Sequence, residues 1–137
     1  RWRVVGNFVQ ACEVVRRAGA GNGGVLLDML HVFRAGDSIA DIAAGAELVS
    51  GAQMADAPLA APPDDRIIEE ARTRRLPPGE GELPLAALMR ALPDDVPYAV
   101  EVPPRPDAPA ALDAHLARLC AAGRRLLAAR EKSPRVD

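Results

Sequence analysis

Three short apolar runs constrain this chain more than any other feature. Val25-Leu26-Leu27 ends on Asp28. Residues 48–54 form a second run, interrupted by Ser50 and Gly51, with Gln53 late in it and Asp56 just after. Tyr98-Ala99-Val100-Glu101-Val102 is the third, stopped by Pro103-Pro104. Short continuous apolar runs read as strands buried on both faces, as in a parallel sheet.

The segments between these runs read as helices and loops. Residues 7–18 carry apolar side chains at Phe8, Val9, Ala11, Cys12, Val15 and Ala18, a helical stripe. Gly19, Gly21, Gly23 and Gly24 end it in a loop. Ser38 can N-cap a short helix over 39–44. Residues 57–65 and 76–82 are Pro-, Ala- and Gly-rich loops, and 67–74 and 84–92 read as helices. A long last helix is expected over 108–130, with a polar tail at 131–137. The order is α-β-α-β-α-β-α, which predicts parallel strands joined by right-handed crossovers. Three strands are few for a finished α/β domain. A (β/α)8 barrel takes roughly 250 residues, so the 137 residues here form a single partial domain, a little over half of one.

Composition excludes several classes. At 49% hydrophobic and 26% charged residues, the chain reads as globular. Aromatics are only 3%, so the core rests on Val, Leu, Ile and Ala. A net charge of -2, without a basic stripe interleaved with aromatics, argues against nucleic acid. No apolar run approaches the roughly 18 residues of a membrane span. Cys12 and Cys120 have no metal-ligand or redox spacing and are expected to be small buried hydrophobes. Nothing demands an oxidising compartment, so a cytoplasmic setting is expected. The Ala-, Arg-, Pro- and Gly-rich composition resembles that of a GC-rich bacterial source, so a bacterial origin is expected.

The chemistry is expected at the strand ends. Active sites of parallel α/β barrels gather at the C-terminal ends of the strands. A charged side chain within an apolar strand is costly unless it is paired or metal-bound. One such residue is adequately explained as a loop cap. Three at equivalent positions, Asp28, Gln53 and Glu101, favour a shared oxygen-rich site that suits Mg2+ or Mn2+. His31 leaves the same strand end as Asp28, as a loop histidine within reach of substrate. His115, inside the last helix, is expected to be structural. The stretch from Arg74 to Leu85 shows no obvious packing purpose, and an arginine beside such a stiff loop suits a substrate hydroxyl, carboxylate or phosphate.

These residues resemble the sugar phosphate isomerase/epimerases, the xylose-isomerase-like TIM-barrel family that also includes endonuclease-IV-type enzymes. The resemblance rests on Leu27-Asp28-Met29-Leu30-His31 with Arg34 and Gly36, and on Ala52-Gln53-Met54-Ala55-Asp56-Ala57. Arg75 with Pro78-Gly79-Glu80-Gly81, and Val100-Glu101-Val102, complete it. Their order and spacing look like the last three strands of those barrels.

The resemblance implies one divalent metal ion, Mn2+ or Mg2+ with Zn2+ as an alternative. Asp28, Gln53 and Glu101 would be its ligands. Glu101 would also be the catalytic acid/base, and His31, Arg75 and Asp56 would contact substrate. Gln53 stands where many relatives have histidine, and Pro77 where they usually have leucine or glycine. A first glutamate ligand would belong to an N-terminal half that lies outside this sequence. The chain is therefore expected to be a fragment of a longer barrel or, alternatively, to assemble as a homo-oligomer. The implied activity is isomerisation or epimerisation of a small sugar, keto-sugar or inositol-like molecule. The alternatives are a dehydratase on the same barrel and a non-catalytic half-barrel assembly module. With His31 the one histidine available to the site, a zinc-cluster endonuclease is disfavoured.

Overall fold

The computed structural model describes residues 4–104 and 112–132. Helix α1 spans Phe8–Ala18 and leads to strand β1, Val25–Asp28. Helices α2 (Met29–Ala35) and α3 (Ile39–Ala43) follow, then β2 (Val49–Met54). Helices α4 (Ile67–Thr73) and α5 (Leu85–Arg90) precede β3 (Tyr98–Val100), and α6 (Leu112–Lys132) closes the described part. The three strands are parallel in the order β1-β2-β3. This is part of a (β/α)8 barrel. The expected helix over 108–130 begins at Leu112, its first four positions lying outside the described residues, and Glu131 and Lys132 of the expected tail belong to α6.

Local signals fix the element ends. The Asn7 side chain accepts a hydrogen bond from the Gln10 amide and starts α1, and Gly19 ends it in the left-handed region at φ 62°. Ser38 and Asp41 form a capping box on α3. The sequence reading missed α2. Asp28 is both the last residue of β1 and the N-cap of α2, accepting hydrogen bonds from the amides of Leu30 and His31. His31 is therefore on a helix, not in a loop. No extra turn separates strand from helix, and apolar residues resume at Met29-Leu30 directly after Asp28.

Strand register sorts side chains onto two faces. Leu27 pairs with Ala52, which pairs with Tyr98, and Met54 pairs with Val100. This face meets the helices and carries the core, with Leu27, Met29, Leu30, Ile42, Met54, Leu88 and Met89 at 2% exposure or less. Helix α6 comes close enough that a Cβ on Gly123 would sit 2.8 Å from the Val100 side chain. The opposite face carries Leu26 beside Gly51, then Asp28 beside Gln53 beside Ala99. Leu26 is 63% exposed there. In a closed barrel this face points to the axis. Of the two cysteines, Cys12 is buried as expected, but Cys120 is exposed on α6. Among the described residues no helix is long and apolar enough to cross a membrane.

Candidate active site

Asp28, Gln53 and Glu101 lie on one face of the sheet. Asp28, Gln53 and Ala99 are direct ladder partners. Glu101 follows Ala99 by two residues, and its amide donates to the Met54 carbonyl at 3.0 Å, continuing the parallel ladder. The period of two along a strand then puts its side chain on the face of Ala99 and Gln53.

Arg75 ties two of them together. Its Nη1 lies 2.8 Å from Asp28 Oδ2 and 3.4 Å from Glu101 Oε2. Its Nη2 lies 3.5 Å from His31 Nε2, which is 3.6 Å from Asp28 Oδ2. Arg75 Nε donates to the Ala71 carbonyl at 2.7 Å, so the last turn of α4 holds the guanidinium from behind. Burial grades outward through the cluster. The Arg75 and Asp28 side chains are 5% and 11% exposed, Glu101 is 43% exposed and His31 57%. The two inner charges are desolvated as a pair, while Glu101 and His31 reach open space above the strand ends.

Four residues predicted from sequence thus meet in one network: Asp28, His31, Arg75 and Glu101. Gln53 sits beside them by register and is half-buried. Among the described residues no hydrogen bond joins its amide to the other four.

Asp56 does not join them. It is 1% exposed. Its Oδ1 accepts hydrogen bonds from the amides of Ala57 and Leu83, and its Oδ2 from the amide of Gly79. The carboxylate is spent on backbone donors and has no face left for substrate. This also corrects the reading of the stretch from Arg74 to Leu85 as lacking a packing purpose. The loop wraps the Asp56 carboxylate, Gly79 taking φ 82° to aim its amide and Gly81 passing so close that a Cβ would collide with Asp56 Oδ1. The signal was present in sequence as an aspartate followed by a Pro-Gly-x-Gly turn, but 23 residues separate Asp56 from Gly79.

A second buried ion pair was not anticipated at all. Arg34 of α2 makes a bidentate pair with Glu70 of α4, both contacts at 2.8 Å, with side chains 6% and 9% exposed. Arg34 also donates to the carbonyls of Pro58 and Leu59. It locks α4, and with it the base of Arg75, against the helix that Asp28 caps. His115, expected to be structural, has its Nε2 at 2.9 Å from the Val102 carbonyl.

The donor chemistry fits a hard divalent ion. Asp28, Gln53 and Glu101 offer two carboxylates and an amide oxygen on one face, with no thiol among them. No group of three or more His, Cys, Asp and Glu side chains converges on a metal position among the described residues.

The family model described as "Xylose isomerase-like TIM barrel" matches residues 1–122. The chain belongs to the xylose isomerase-like TIM-barrel family. Solved structures agree on the fold. An IolI protein with a bound zinc atom superposes with a TM-score of 0.76 at 21% identity, over 94% of this chain and 46% of that one. A xylose isomerase-like TIM barrel/4-hydroxyphenylpyruvate dioxygenase fusion protein gives a TM-score of 0.70 at 26% identity, over 89% of this chain and 19% of that one. A xylose isomerase domain protein from Alicyclobacillus acidocaldarius subsp. acidocaldarius gives 0.60 at 26% identity, over 85% and 41%. The chain thus spans less than half the length of each. A search of curated proteins found no match.

Proposed function

We propose that this chain is part of a metal-dependent isomerase or epimerase acting on a small sugar, keto-sugar or inositol-like molecule by proton transfer next to a carbonyl. The observation that carries this reading is the placement of Asp28, Gln53 and Glu101 on one sheet face at the strand ends, with Arg75 between the two carboxylates. Family membership supports it, as does the zinc atom held by the structurally similar IolI protein.

Asp28, Gln53 and Glu101 would hold the ion, Mn2+ or Mg2+ by donor type with Zn2+ as the alternative. When bound, such an ion polarises a substrate carbonyl and stabilises the negative charge that develops on its oxygen. Glu101 would move the proton. It is the more exposed carboxylate, and Arg75 restrains it from one side. It accepts the proton from the carbon next to the carbonyl, and the electron pair of that C–H bond moves toward the carbonyl oxygen. Return of a proton to the former carbonyl carbon, with the hydroxyl proton of the first carbon passing to the former carbonyl oxygen, gives an isomer, and return to the opposite face of the first carbon an epimer. His31 would hold a substrate hydroxyl, and Arg75 would fix an oxygen of the substrate.

The test is solvent exchange. The full polypeptide as its gene encodes it is loaded with Mn2+ and incubated in deuterated water with a panel of keto-sugars and keto-inositols. Deuterium should enter the carbon next to the carbonyl, stop on chelation and resume on adding the ion back. Glu101→Gln should abolish incorporation while its circular dichroism stays that of the parent. Near-normal incorporation by that variant would refute the role given to Glu101. Loss of water from the substrate would assign the dehydratase reading instead.

A further inference from the structure

One nitrogen of Arg75 touches both carboxylates of the candidate metal face. The oxygens involved are Asp28 Oδ2, at 2.8 Å, and Glu101 Oε2, at 3.4 Å. The other oxygen of Asp28 already accepts the amides of Leu30 and His31. Oδ2 is therefore the oxygen that Asp28 has left for a cation. Arg75 does not hover there loosely. It is 7% exposed, its Nε is tied to the Ala71 carbonyl, and its chain neighbour Leu76 is bonded to the backbone of Asp56. A guanidinium does not give up its proton in a protein, so this positive charge is permanent.

We propose that Arg75 is an internal cation that competes with the divalent ion for Asp28 and Glu101. The ion binds fully only as Arg75 withdraws from Asp28 Oδ2, which frees its guanidinium for substrate oxygens. The inference rests on the metal-dependent reading above and adds a regulatory step to it. By linkage, whatever draws Arg75 away from Asp28 tightens the ion, and the ion in turn loosens Arg75 from Asp28. An anionic or hydroxyl-rich substrate that engages Arg75 would then strengthen its own metal centre. The buried Arg34–Glu70 pair and the Asp56 loop set how far Arg75 can move, because both fix the elements that carry it.

The experiment is a calorimetric titration of Mn2+ into the metal-stripped full polypeptide, comparing the parent with Arg75→Gln and Arg75→Lys. Removing the competing charge should tighten Mn2+ by on the order of tenfold or more at this close range. Lysine keeps the charge and should stay within a few-fold of the parent. Equal or weaker binding by Arg75→Gln would overturn the competition while leaving the metal reading intact. Absence of binding by all three proteins would overturn the metal reading and this inference with it. Should Arg75→Gln fail to fold, the parent alone decides. The Arg75 Nε–H resonance, followed by NMR during a titration with diamagnetic Mg2+, should shift as the ion binds. A resonance unmoved at saturation would overturn the proposal.

Discussion

Asp56 and Leu76 exchange both of their backbone hydrogen bonds, each 2.8 Å long, in an isolated antiparallel bridge. The bridge sets the backbone of Arg75 one residue away from a rigid point at the end of β2. Asp56 supplies that rigidity twice, through its backbone and through a carboxylate that satisfies three amides.

Asp56→Asn should therefore destabilise the protein. The amide keeps one acceptor oxygen but turns an NH2 toward backbone N–H donors. Hydrogen bonds to a charged group contribute roughly 1.5–3 kcal/mol each, and a buried donor left unsatisfied costs a further share. A loss of about 3 kcal/mol is expected, read as a lower urea midpoint at an unchanged denaturant slope. A change under about 0.5 kcal/mol, the size of an ordinary surface substitution, would show that the carboxylate does not organise the loop.

The two loop glycines should fail for different reasons. Gly79 has φ 82° and nothing within 4 Å of where an added methyl group would sit, so Gly79→Ala meets only backbone strain, about 1–2 kcal/mol. Gly81→Ala places its methyl 2.5 Å from the Ala57 carbonyl oxygen and 2.7 Å from the Ala57 nitrogen. Backbone cannot yield cheaply, so Gly81→Ala should cost more than Gly79→Ala in the same urea series. The reverse order would contradict the packing described for Gly81.

Much of this arrangement was legible in sequence because it depends on local pattern. The three runs that carry Asp28, Gln53 and Glu101 declare themselves by their apolar residues, and register then puts the three on one face. Helix α2 was hidden because Asp28 does two jobs at once, closing a strand and capping a helix. The partner of Arg75 was hidden because Asp28 lies 47 residues earlier in the chain. Asp56 was misread for a related reason. An aspartate after a strand looks the same whether substrate or distant backbone amides will satisfy it, and only the folded loop decides.

The Arg34–Glu70 pair offers a test of what buried charge contributes. Removing one partner strands the other, so Glu70→Leu or Arg34→Met should each cost roughly 3–5 kcal/mol. Replacing both, as Arg34→Met with Glu70→Leu, leaves no buried charge and should recover most of that loss. The carbonyls of Pro58 and Leu59 lose a donor in the double variant but lie on exposed residues, where water can take its place. A double-mutant cycle measured by urea unfolding checks this. Additive losses would show that the pair does not act as a unit.

Tyr98 gives the pH-dependent prediction. Its hydroxyl is buried without a hydrogen-bond partner among the described residues, while its ring lies under the Arg130 guanidinium, 5.8 Å from it. Burial raises the phenol above its ordinary value, with Arg130 opposing in part. Above about pH 10 the unfolded chain releases this proton before the folded protein does. The folded state then holds more protons than the unfolded one, so stability must fall as pH rises from there through the higher folded value. Tyr98→Phe keeps the ring beneath Arg130 and removes both the unpaired hydroxyl and its titration. It should stabilise the protein by about 1 kcal/mol at neutral pH. Its advantage should widen above about pH 10, where the parent alone loses stability to the phenol. Urea midpoints for the two proteins at neutral pH and in that alkaline range measure both effects. A variant less stable than its parent would mean that the hydroxyl has a partner in solution.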